Sequence, residues 1–159
     1  NKVEEFIEEG FKNIVIGGYS AGGWASLNLI SRYPEKFKGA IAFNPAFAGP
    51  KREWNKELPN WGLFREEQIK ELQRADSLNA LVFVHSNDEF ETPTTLSFLN
   101  NFNEINLINY TDLKANECYW ADIDKFMPIE AGHEIPQSSC FLEYEKQNKF
   151  IYNYLKKIL

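Results

Sequence analysis

The run Asn13-Ile14-Val15-Ile16-Gly17 leads directly into Gly18-Tyr19-Ser20-Ala21-Gly22, and helical spacing begins at Ala21. This order of strand, turn and helix constrains the fold more than any other feature. The apolar run is bounded by glycine and too short for a helix, so the spacing predicts a strand over 13–17, buried on both faces. From Ala21 to Arg32, Trp24, Leu27 and Ile30 recur at helical spacing, and Pro34 follows the predicted helix end. Two more apolar runs, Phe37 to Phe47 and Asn79 to Asp88, read as buried strands. Between them lies a loop rich in proline and tryptophan, and then a predicted helix over 63–76 with Phe64, Ile69 and Leu72 on one side. Strands separated by helices pair in parallel. The expected class is therefore α/β: an open, mostly parallel sheet with flanking helices in three layers, α/β/α.

The rest of the chain fits this plan. Val3, Phe6 and Ile7 mark a short amphipathic helix that Gly10 closes. Thr95 to Phe102 reads as a short helix, a strand falls within Ile105 to Tyr110, and one last helix carries Tyr144, Ile151, Tyr154, Leu155 and Ile158 on one face. The 159 residues are 43% hydrophobic and 15% aromatic, enough for one domain over 1–159 with a real core. A net charge of −6 disfavours nucleic acid or an anionic membrane as the main partner and leaves a small molecule as the expected one. No apolar run reaches the roughly 18 residues of a membrane span, and the acidic start NKVEEFIEEG is unlike a signal peptide. The chain opens on Asn1 and its sole methionine is Met127, so it is expected to be a piece of a longer polypeptide. Cys118 and Cys140 match no metal motif and are expected to be free and buried. A bridge between them is the alternative. It would staple the loop holding His133 and point to a periplasmic or secreted protein in place of the default cytoplasmic one.

In an open α/β sheet, ligands bind beyond the carboxyl ends of the strands. After the first strand, the glycines leave Ser20 little company, which suits an exposed hydroxyl on a tight turn. A glycine-rich turn with a helix-capping serine is the plainer alternative. A phosphate loop is disfavoured because no Gly-Lys-Ser/Thr follows. A serine needs a base and an acid to orient that base. The chain holds two histidines. His133, late in the chain within EAGHEIP, is the candidate base, whereas His85 at the end of a strand reads as a packed neighbour. After the third strand, HSNDEFETP offers three carboxylates, Asp88, Glu89 and Glu91.

G-x-S-x-G between a strand and a helix resembles the nucleophile elbow of the α/β-hydrolase superfamily, with its chain order of serine, acid and histidine. GYSAGG and YPEKFKGAIAFNPA look most like dienelactone-hydrolase-like and prolyl-oligopeptidase-like serine esterases. The resemblance implies a triad of Ser20, Asp88 and His133, an oxyanion amide from Ala21, and no metal or organic cofactor. Side chains at positions 18 and 22 are expected to collide with the neighbouring helix or strand. Tyr19 and the loop tryptophans Trp54 and Trp61 are the expected substrate contacts. The implied activity is hydrolysis of a carboxylic ester or thioester, with a peptidase, an acyltransferase or a non-catalytic binding module as alternatives.

The chain departs from the family in two ways. The gap between Asp88 and His133 is long, which suggests an insertion within NYTDLKANECYWADIDKFM; its Asp112, Asp122 and Asp124 are further candidate acids. The strands that precede the elbow in the family, with the loop supplying a second oxyanion amide, are lacking. An amino-terminal segment or partner chain is expected to cover the open edge of the first strand.

Overall fold

Each strand sorts its side chains onto two faces with a period of two, and both faces here are covered by helices. The computed structural model describes residues 2–121, 129 and 131–159. The strands are β1 (Val15–Tyr19), β2 (Gly39–Phe43), β3 (Ala80–Val84) and β4 (Ile105–Asn109), in the spatial order β1-β2-β3-β4. All neighbouring pairs are parallel. The helices are α1 (Lys2–Glu8), α2 (Ala21–Arg32), α3 (Trp61–Leu72), α4 (Ser139–Asn148) and α5 (Phe150–Ile158).

Ala40, Ala42, Ala80, Val82 and Val84 face one core with Leu27 and Ile30 of α2 and Leu72 of α3. Ile41, Leu81 and Phe83 face the other, with Phe141 of α4 and Tyr154 of α5. Burying a side chain such as Leu27 or Leu81 contributes about 1.5–3 kcal/mol. The register pairs Tyr19 with Phe43 and Phe43 with Phe83, so the carboxyl ends of the first three strands lie level. No described helix is long and apolar enough to cross a membrane.

Several expectations need correction. The first strand runs from Val15 to Tyr19, not from Asn13, and it is half-buried with Gly17 exposed. Among the described residues it pairs only with β2, so one edge lacks a neighbour to cover it. The helix expected over 63–76 starts at Trp61, because the Asn60 side chain accepts the Leu63 N–H and caps it. The 95–102 segment forms a 3₁₀ turn over Ser97–Asn101. The single last helix is two, since Lys149 adopts a left-handed φ of 56°. Glu145 holds that corner: its carbonyl accepts from Lys149 N–H and its carboxylate from Ile151 N–H at the start of α5.

The cysteines differ as well. Cys118 and Cys140 form a disulfide rather than free thiols, with Cα atoms 5.5 Å apart. Their segments lie side by side because Trp120 bridges Ser138 and Ser139 N–H donates to the Tyr119 carbonyl.

Candidate active site

Ser20 lies between β1 and α2 with φ 55° and ψ −123°, a left-handed conformation that costs a residue with a Cβ on the order of 1–3 kcal/mol. Three backbone bonds hold it there. Its N–H donates to the Phe43 carbonyl at 2.9 Å, and its carbonyl accepts from Trp24 N–H at 3.0 Å and Ala46 N–H at 3.2 Å. The turn closes tightly because Gly18 lacks a side chain: a Cβ there would overlap the backbone carbonyl of Gly22. The matching expectation for Gly22 is overturned, as a Cβ at 22 would meet nothing within 4 Å. The second tight position is Gly23, whose added Cβ would sit 3.0 Å from the Gly18 carbonyl oxygen and 3.2 Å from that of Phe43. Ala21 is the first residue of α2, so its N–H has no carbonyl one turn back. Ala21 is exposed.

The loop after β3 and the turn over Gly132–Gln137 bring two more groups to this corner. His133 Nε2 lies 2.9 Å from Ser20 Oγ, and His133 Nδ1 lies 2.7 Å from Asp88 Oδ2. A carboxylate only accepts, so Nδ1–H donates to Asp88 and Nε2 is left to accept the Ser20 hydroxyl proton. The other Asp88 oxygen accepts the Phe90 N–H at 2.7 Å. Asp88 is 1% exposed and His133 7%, so the pair is shielded from bulk water. The geometry permits a proton to pass from the alcohol to the imidazole while the carboxylate steadies the ring.

The competing carboxylates are engaged elsewhere. Glu89 pairs with Arg52 at the surface. Glu91 is fully buried and takes a two-pronged bond from Arg65, Nε to Oε1 at 2.6 Å and Nη2 to Oε2 at 2.9 Å. Burial pushes the Glu91 carboxyl above the usual carboxylate range, and the Arg65 guanidinium pulls it back only in part. Asp112 is exposed in the turn after β4, and Asp122 and Asp124 lie outside the described residues. His85 is a packed neighbour: Nδ1 accepts from Asn87 N–H at 3.1 Å, so Nε2–H donates to the Leu113 carbonyl at 2.8 Å. Among the described residues no group of three or more His, Cys, Asp or Glu could hold a metal ion.

Of the expected aromatic contacts, Tyr19 lies beside the histidine, with ring centroids 5.1 Å apart. Burial pushes its hydroxyl up to about 12, against a hydrogen bond from Gln137, so it stays protonated at neutral pH. Trp54 and Trp61 make the following contacts. Trp54 stacks against the Arg65 guanidinium at 4.4 Å and donates Nε1–H to the Gly49 carbonyl. Trp61 opens α3 and packs on Phe64 and Gly49. Two residues at the site were not anticipated. Phe90 lies 4.5 Å from the His133 ring, centroid to centroid, and Asn44 donates its side-chain amide to the carbonyls of Gly132 and His133. Phe90 sits two residues past the candidate acid, which was the available clue; Asn44 gave none beyond its place at a strand end.

No protein-family model matches the sequence, and no curated protein matches it. Solved structures do. A monoacylglycerol lipase from Paleococcus ferrophilus superposes with TM-score 0.62 at 15% identity, over 98% of this chain and 73% of that one. A metagenome-derived lipolytic enzyme gives 0.59 at 16% identity, over 96% and 70%. A protein assigned as a dipeptidyl aminopeptidase IV from Bacteroides ovatus gives 0.62 at 21% identity, over 99% of this chain but 21% of its own length. Four parallel strands between helices, in a shape common to esterases, lipases and a peptidase, make this chain part of an α/β-hydrolase fold.

Proposed function

We propose that the protein is a serine hydrolase that cleaves a carboxylic ester through an acyl-enzyme. The observation that carries this reading is the hydrogen-bonded chain from Ser20 Oγ through His133 to Asp88. His133 Nε2 takes the hydroxyl proton as Ser20 Oγ attacks the ester carbonyl carbon. The new imidazolium is stabilised by Asp88 and returns the proton to the leaving alcohol. Water, activated by the same imidazole, then releases the acid. Ala21 N–H faces the developing oxyanion, and such a donor contributes about 2.7–4 kcal/mol to the barrier reduction. The second donor comes from a segment that completes the sheet at the open edge of β1.

Tyr19 is the residue we assign to substrate contact. Trp54 is assigned to support of the Asp88 loop, through Arg65 and its pair with Glu91. The disulfide fits an oxidising compartment. A peptidase on the same scaffold is the second reading, favoured by the likeness to the protein from Bacteroides ovatus. Turnover of p-nitrophenyl esters against dipeptide p-nitroanilides separates the two. In either case Ser20→Ala lowers kcat/KM by on the order of 10⁴-fold or more with the thermal transition intact. Unchanged turnover in that variant contradicts the proposal.

A further inference from the structure

The dipeptide Phe43-Asn44 at the carboxyl end of β2 touches both the residue that carries the alcohol and the residue that carries the imidazole. The Phe43 carbonyl accepts the Ser20 N–H at 2.9 Å. One residue later, Asn44 Nδ2 donates to the Gly132 carbonyl at 3.0 Å and to the His133 carbonyl at 2.7 Å. The Asn44 N–H donates in turn to the Phe83 carbonyl of β3 at 2.9 Å, so the dipeptide is tied to the interior of the sheet.

The surroundings fix which way the Asn44 amide points. Two carbonyl oxygens only accept, so they must face the NH₂ end, and the remaining Oδ1 accepts from the Tyr110 hydroxyl. Asn44 and Tyr110 are both 0% exposed, so neither side chain could exchange its partner for bulk water without a buried group going unsatisfied. Burial pushes the Tyr110 hydroxyl above its ordinary value, which keeps it a donor. Asn44 also has a φ of 42°, in the left-handed region where asparagine is tolerated better than most side chains.

We propose, building on the serine-hydrolase reading, that Asn44 is a positioning residue which sets the reach of His133 to Ser20, with Tyr110 orienting its amide. Ser20 and His133 lie 113 residues apart in the chain, yet both are hung from adjacent residues of one rigid strand end. A misplacement of about 1 Å at such a site costs up to about 10²-fold in rate, so a bond to the base's own backbone carbonyl is a direct lever on kcat.

Asn44→Gly is the test, because glycine accepts the same φ and the side chain is deleted, methylene and amide together. Three readouts are taken on the whole chain: the thermal transition, kcat and KM on a p-nitrophenyl ester, and the low-field proton resonance of the His133 Nδ1–H bonded to Asp88. The expected result is a fall in kcat of about tenfold to a hundredfold, a KM within about twofold of the parent, and loss or broadening of the resonance. Should Asn44→Gly not fold, Tyr110→Phe decides. It removes one hydroxyl, and a severalfold fall in kcat with a weakened resonance is expected. A folded variant with parental kcat and a parental resonance overturns the proposal. The resonance is read without turnover, so failure here is distinct from failure of the hydrolase reading, which appears as activity surviving Ser20→Ala.

Discussion

Strands β1 and β3 are both short and apolar, and each delivers one of the two groups bound to His133. Every residue of β3 is buried, whereas β1 is half-buried with Gly17 exposed. The difference is one of position: β3 has a strand on each side, while β1 has only β2 among the described residues. The loop that follows this enclosed strand carries the buried carboxylate of Asp88. The edge strand ends in the strained residue Ser20, and its stiffness comes from bonds to the ends of β2 and α2 rather than from its own burial. A strained corner at a sheet edge therefore depends on close backbone packing, and Gly18 and Gly23 make that packing possible.

The largest effect should come from this corner. Gly18→Ala drives a Cβ into the Gly22 backbone and is expected to cut kcat/KM by on the order of 10²-fold or more, whereas Gly22→Ala, facing open space, should change it by less than about twofold. Steady-state kinetics on the two variants breaks the comparison if the order is reversed. Next comes the Cys118–Cys140 bridge, whose 22-residue loop contains His133. Cys140→Ser should remove about 3 kcal/mol of stability in urea titrations.

The two strands themselves can be compared with one substitution. Val82→Ala in β3 is expected to cost about 2–3 kcal/mol and Val15→Ala in β1 about 1 kcal/mol, because Val82 is fully enclosed and Val15 is not. Equal losses would show that β1 is as well covered as β3. The smallest effect is the pH dependence of the β3 end. Burial holds the His85 imidazole below its ordinary value of 6.5, against the raising effect of the hydrogen bond that Nε2–H donates to the Leu113 carbonyl. The unfolded chain thus binds a proton that the folded chain resists, so this contribution is full above the ordinary value and is lost as the pH falls below it. His85→Gln should flatten the change in urea midpoint between about pH 7.5 and pH 5.

Much of this arrangement is legible in the sequence, because the chemistry restricts which residues can carry it. A serine on a glycine turn, a carboxylate after a later strand and a histidine beyond it follow in order, and the structure brings these three together. Features that depend on what lies opposite were hidden. Gly22 and Gly23 look alike along the chain, and only the nearby carbonyls of Gly18 and Phe43 distinguish them. The break at Lys149 interrupts an unbroken helical period because Glu145 caps the next helix from one turn back. Asn44 is one asparagine among many until the His133 loop folds over it. The half-burial of β1 follows from its place at the sheet edge among the described residues, which no local pattern reports.

The central claim is that the Ser20 hydroxyl is activated by His133. Incubating the chain with a fluorophosphonate and mapping the adduct by mass spectrometry tests it without any assumption about substrate. The account predicts one adduct, on Ser20, formed rapidly by the parent and at least about 10²-fold more slowly by His133→Ala. No adduct on Ser20, or labelling that proceeds equally well without the imidazole, would contradict it.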